Sequence, residues 1–118
     1  MIVERTHSRV ETRTFQDFRV QVTVDDRYFA GELGNISETG LCVLVPGRIT
    51  VRPGVRIRGT VQARHLAVHL EFVGRVAWTA EAVKAGRPCI LLGVDFDREI
   101  ELPPSVIALG MAAAQIDV

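Results

Sequence analysis

A chain of 118 residues closes around one hydrophobic core, and 47% hydrophobic with 24% charged residues is the mix of a soluble globular domain, not of a disordered chain. No apolar run approaches the roughly 20 residues of a membrane-spanning helix, and the opening MIVERTHSR lacks the apolar stretch of a signal peptide, so a cytoplasmic protein without membrane insertion is expected. The net charge is zero, but no acid lies between Glu38 and Glu71 while Arg48, Arg52, Arg56, Arg58 and Arg64 do, so one positive face is expected, suited to an anionic ligand.

Residues 1–16 lack sustained periodicity and read as a flexible arm. FRVQVTV at 18–24 alternates apolar and polar residues, DDR is a turn signal, and YFAGEL is the return strand of a hairpin. NISETG at 35–40 reads as a polar loop, followed by the continuous apolar strand LCVLV at 41–45. VRIRGTVQA at 55–63 alternates with its arginines outward. LAVHLEFVGRVAW at 66–78 is a long strand in which Gly74 marks a bulge or bend, AEAVKAGRP is a connection, and CILLGVDF at 89–96 is the last strand. The prolines of LPPSVIALGMAAAQ suit a helix start, giving a C-terminal α-helix over 101–115. The sum is an all-β fold: one domain over 1–118, with a small antiparallel six- to seven-stranded β-barrel or sandwich over 17–97.

Cys42 and Cys89 sit in apolar runs, where a thiol behaves as a small hydrophobe, so no disulfide is expected. His7, His65 and His69 have no zinc spacing with either cysteine, so no metal and no cofactor are expected. No acid/base pair or nucleophile with its base is visible, and an enzyme is not expected.

Two motifs remain. RVETR at 9–13 places Arg9 and Arg13 four residues apart, which in an extended chain is the same side at about 13 Å. A guanidinium pairs bidentately with phosphate oxygens or with the O6/N7 edge of guanine. Taken alone, the same arginines also read as solvated surface charges, one of them paired with Glu11. In NISETG, Asn35 and Ser37 are hydrogen-bonding turn residues, Ile36 anchors inward, and Gly40 takes the positive φ of a tight return. An ordinary polar turn would carry the same residues.

An RxxxR arm, a strand pair, and an NxSxxG loop entering an apolar strand resemble the PilZ domain, a bacterial receptor module for cyclic di-GMP. The resemblance spans nearly the whole chain, because GRVAW and LLGVDF look like that family's closing strands. RTHSR at 5–9 is also an RxxxR, but Arg13 stands at the family's usual distance from Val20, which leaves Arg5 at most an auxiliary charge.

The resemblance implies a PilZ-like barrel that binds cyclic di-GMP, with Arg9 and Arg13 on guanines and phosphates, Asn35 and Ser37 on base edges or phosphates, Gly40 shaping the loop, and Trp78 stacking on a guanine. It also implies an unidentified downstream protein partner, in outputs such as motility and biofilm polysaccharide synthesis. Many family members carry aspartate where this chain has Asn35, and Ser8 is not the third adjacent arginine linked in the family to an intercalated ligand dimer, so stoichiometry stays open. The alternatives are a nucleotide-independent interaction adaptor and a small nucleic-acid-binding barrel; with aromatics at 6% and no stacking series, nucleic acid is the weaker partner.

Overall fold

The computed structural model describes residues 17–109. Six strands follow one another: β1 (Arg19–Val24), β2 (Arg27–Ile36), β3 (Gly40–Pro46), β4 (Arg56–Ala63), β5 (Val68–Lys84) and β6 (Arg87–Phe96). Every pairing is antiparallel, in the order β1-β2-β3-β6-β5-β4, and β4 returns to β1 to close a barrel. Closure removes most of the sheet edges that a small β protein would otherwise expose.

The alternation predicted for 18–24 is the device that fills the barrel. Val20, Val22 and Val24 point inward and are buried, while Arg19 and Gln21 face out. Phe18, Leu33, Ile57, Val61, Phe72, Val76, Leu92 and Val94 complete the interior. The Phe72 and Phe96 rings meet at 5.5 Å in a tilted pair, a favoured aromatic geometry. β3 is apolar throughout because both its faces are covered: Leu41, Val43 and Val45 join the core, whereas Cys42 and Leu44 are buried on the outer side. Cys42 and Cys89 form no disulfide.

The β1–β2 hairpin turns at Asp25 and Asp26, both at positive φ (51° and 64°), as a two-residue hairpin loop requires. Several sequence expectations need correction. AEAVKAGRP is not a connection: β5 runs on to Lys84, only Ala85 and Gly86 turn, and β6 begins at Arg87. Alanine-rich composition reads as loop, but cross-strand backbone bonds make it strand. At the other end β5 starts two residues late, because Arg64–Leu66 form a 3₁₀ turn and Ala67 adopts φ 54°. The bulge falls between Val76 and Trp78, not at Gly74. Gly74 serves close approach instead, since a Cβ there would lie 2.0 Å from the Asp95 carbonyl oxygen.

A short helix occupies residues 104–109, with the Pro103 carbonyl accepting from the N–H groups of Val106 and Ile107, and Val106 is buried against the barrel. The rest of the expected helix, 110–115, and the arm at 1–16 lie outside the described residues. No described helix is long and apolar enough to cross a membrane.

Candidate functional site

Asn35 and Ile36 are the last residues of β2, so only residues 37–39 leave the ladder between β2 and β3. The register shifts between Leu33 and Asn35, where Gly34 is the extra residue. Without that bulge Asn35 would share the inward face of Leu33, two residues before it. With it, Asn35 is exposed on the outer surface and Ile36 packs against the core.

The turn that follows is built by Ser37. Its N–H donates to the Gly40 carbonyl at 2.8 Å, its Oγ accepts from the Thr39 N–H at 3.2 Å, and its hydroxyl also reaches Thr39 Oγ1 at 3.2 Å and the Gly40 carbonyl at 3.4 Å. The end of β6 and the segment after it clamp the turn from the other side: the Phe96 N–H donates to the Thr39 carbonyl at 2.8 Å, and the Ile100 N–H to the Glu38 carbonyl at 2.9 Å. Glu38 and Thr39 therefore have their carbonyls satisfied within the fold, and the exposed side chains of Asn35 and Glu38 are presented at the turn.

Gly40 is required for a different reason from the one its sequence context suggests. It is not among the residues at positive φ. A Cβ at Gly40 would stand 2.3 Å from the Val94 carbonyl oxygen, a backbone atom near the end of β6. The constraint is the closeness of β3 to β6 at the mouth of the turn.

Trp78 is brought to the same surface by the second bulge. Val76 points into the core, and without the extra residue Trp78 would follow it; instead the indole lies outside, 46% exposed. Pairing then sets one row across four strands: Asn35 opposite Cys42, Cys42 opposite Gly93, Gly93 opposite Trp78. Three inter-strand steps separate its ends by about 14 Å. The middle of the row is low. The indole rests on Gly93, where a Cβ would come within 2.2 Å of its Nε1 and Cε2 atoms.

Asn35, Ser37, Gly40 and Trp78 are therefore brought to one side of the barrel, and Arg9, Arg13, Arg5 and Ser8 lie outside the described residues. β1 starts at Arg19, which pairs with Glu32, three residues before Asn35. The segment carrying the two arginines thus joins the barrel beside the end of β2. Gly93 was not singled out by sequence reasoning, although a glycine interrupting the apolar run CILLGVDF was the available signal.

Three arginines of the basic window are spread along β4. Arg56 pairs with Asp97 at 2.8 Å, Arg58 stands on the outer face of β4, and Arg64 lies in the 3₁₀ turn beyond the strand's far end. The eight residues of β4 separate Arg56 from Arg64 by about 25 Å. Near the opposite end of β5, Cys89 is buried and its thiol pKa is raised by that burial, which the nearby Lys84 ammonium partly offsets and Glu32 reinforces.

A family model described as the PilZ domain matches residues 4–106. Among solved structures, the chain is similar to the c-di-GMP-bound PilZ domain of YcgR from Escherichia coli, at 14% identity and a TM-score of 0.60, over 84% of this chain and 86% of that one. It is also similar to the PlzA protein of Borreliella burgdorferi in complex with c-di-GMP, at 9% identity and a TM-score of 0.55, over 97% of this chain and 57% of that one. At these identities the likeness is one of fold. No curated protein matches the sequence.

Proposed function

The chain belongs to the PilZ domain family, and from that premise we propose that it is a cytoplasmic bacterial receptor for cyclic di-GMP that performs no chemistry of its own. Arg9 and Arg13 grip guanine and phosphate groups from the arm at 1–16, and Asn35 and Ser37 meet the ligand from the turn that Gly40 shapes. Trp78 stacks on a guanine, a contact worth roughly 1 to 3 kcal/mol per base. The observation that carries this reading is the outer row itself: a hydrogen-bonding amide at one end, an exposed indole at the other, and only Cys42 and Gly93 between. Two bulges are spent on turning those end residues outward, where a plain barrel would bury them or leave them to pack.

Signalling follows from ordering. Fixing an arm costs roughly 1 to 2 kcal/mol per residue, so several charge-assisted contacts must form together, and the ordered arm becomes a surface for a partner protein. Loss of one arginine then removes most of the binding. Calorimetric titration with cyclic di-GMP, with cyclic di-AMP and GTP as controls, tests this. The expected result is saturable binding at one or two ligands per chain, selective for cyclic di-GMP and lost in Arg13→Ala. A silent titration, or an Arg13→Ala variant that binds as tightly as the native chain, would overturn it. Heat that appears only in Asn35→Asp would point to a nucleotide-independent adaptor that has lost an acceptor for guanine N1 and N2.

A further inference from the structure

β6 carries a single acid, Asp95. Val94 before it lies in the core and Phe96 after it packs against the core, so Asp95 points outward and is exposed. On one side it faces Gly40, which opens β3 after the turn, and on the other it faces Arg75 of β5. Gly93, the seat of the indole, stands two residues back on the same face of the strand, about 7 Å away. Asp95 is thus a diagonal neighbour of Trp78, a spacing that aromatic and long side chains span.

The carboxylate has no partner in the fold. Among the described residues it makes no ion pair and accepts no hydrogen bond, because the nearest cations are turned elsewhere. Arg75 donates to the Gly54 carbonyl at 3.0 Å, and Arg56 pairs with Asp97 at 2.8 Å. Glu32, at the outer end of β2, is held by Lys84. Asp95 and Glu38 are therefore the exposed acids left beside the turn, and of the two only Asp95 shares a strand with the indole's seat.

An ionised carboxylate accepts and never donates, so it repels a phosphate and suits an edge that offers two adjacent donors. Guanine offers such an edge at its N1–H and N2 amino groups, whereas adenine sets an acceptor, N1, beside its amino group. The Asn35 amide does not reach a base on the indole, since it stands at the far end of the row, about 14 Å from Trp78. A cyclic dinucleotide brings two bases, and each needs its own reader.

We propose that Asp95 reads the guanine stacked on Trp78, accepting from its N1–H and N2 amino groups, while Asn35 meets the other base. The proposal rests on the receptor reading above and adds the residue that sets base identity at the indole end. Discrimination follows from unpaired groups: a base without the N2 amino group leaves one carboxylate oxygen without its donor, and adenine turns an acceptor towards it.

Calorimetric titration of the full chain with cyclic di-GMP and with cyclic di-IMP, the analogue that lacks both N2 amino groups, tests the assignment. The native chain is expected to prefer cyclic di-GMP. Asp95→Asn is expected to lower that preference by about tenfold or more, because an amide accepts through one oxygen only. Asp95 has no side-chain bond among the described residues to lose, so the urea midpoint should not move. Glu38→Gln, on the turn, is expected to leave the preference in place.

Four results refute the assignment: no preference in the native chain, an unchanged preference in Asp95→Asn, an equal loss of affinity for both nucleotides, or a preference abolished by Glu38→Gln. Equal loss would make Asp95 a counter-ion for the arginine arm and not a reader of the base. A native chain that binds neither nucleotide overturns the receptor reading itself, and this assignment with it.

Discussion

Gly93→Ala is the most incisive perturbation of the outer surface, because the added atom has one place to go. Its Cβ would lie 2.2 Å from Trp78 Nε1 and Cε2 and 2.7 Å from Cδ1. Ordinary contact between such atoms is about 3.5 Å, so the indole must retreat by about 1.3 Å or leave its seat. Forcing extra volume into a packed contact costs about 1 to 3 kcal/mol, less here to the extent that the half-exposed ring swings into water.

Either response moves the ring from the row that ends at Asn35. Trp78 is the chain's single tryptophan, so intrinsic fluorescence reports it without ambiguity. The expected result is a red-shifted emission in the free protein. Cyclic di-GMP binding is expected to weaken by the value of one stack, roughly 1 to 3 kcal/mol, or about five- to 150-fold. In Trp78→Ala the seat is empty, and adding Gly93→Ala to that background should cost almost nothing. If Gly93→Ala leaves both emission and affinity at native values, the indole does not rest on Gly93 and the row is not the ligand's floor.

Other consequences are simpler to measure. Gly40→Ala would press a methyl group against the Val94 carbonyl oxygen at 2.3 Å, and because backbone cannot swing aside it should lower stability by about 1 to 3 kcal/mol in urea unfolding; an unchanged midpoint would contradict the β3–β6 spacing. Arg27 donates to the Thr50 carbonyl at 3.0 Å and lies 5.4 Å from the centroid of Phe29, so Arg27→Ala should loosen residues 47–55 and lower stability by about 1 kcal/mol, seen as a lower Tm and faster proteolysis in that loop. The Cys89 thiol, raised mainly by burial, keeps its proton in the folded state after the unfolded chain has begun to lose it. Stability should therefore fall as pH rises through the ordinary thiol range near about 8.5, and Cys89→Ala should remove that share of the slope; a slope identical in the variant would assign it to other groups.

The wider composition of the site was visible in the chain to different depths. Asn35, Ser37 and Gly40 stand out because turn residues interrupt apolar strands, and a motif carries them whatever the backbone does in detail. For Gly40 the sequence context suggests a left-handed residue, and only the inter-strand distance to Val94 reveals a steric requirement instead. The extension of β5 through Ala80, Glu81 and Ala82 was illegible, because those residues have weak strand preference and are held by pairing with residues that come later in the chain.

The all-β class, the hairpin at Asp25 and Asp26, and the inward valines of β1 are legible from the residues, because all of them rest on a period of two and on turn chemistry within a few positions. Tertiary structure alone decided which way Asn35 and Trp78 face. Each follows a buried residue by two positions, and the alternation would place both inside; a single extra residue in β2 and another in β5 reverses them. A bulge has no compositional mark strong enough to read, since it exists only relative to the strand opposite. The row from Asn35 to Trp78 is therefore a property of register, set by the bulged β2–β3 and β5–β6 pairings and joined by the pairing of β3 with β6, which lies much further along the chain.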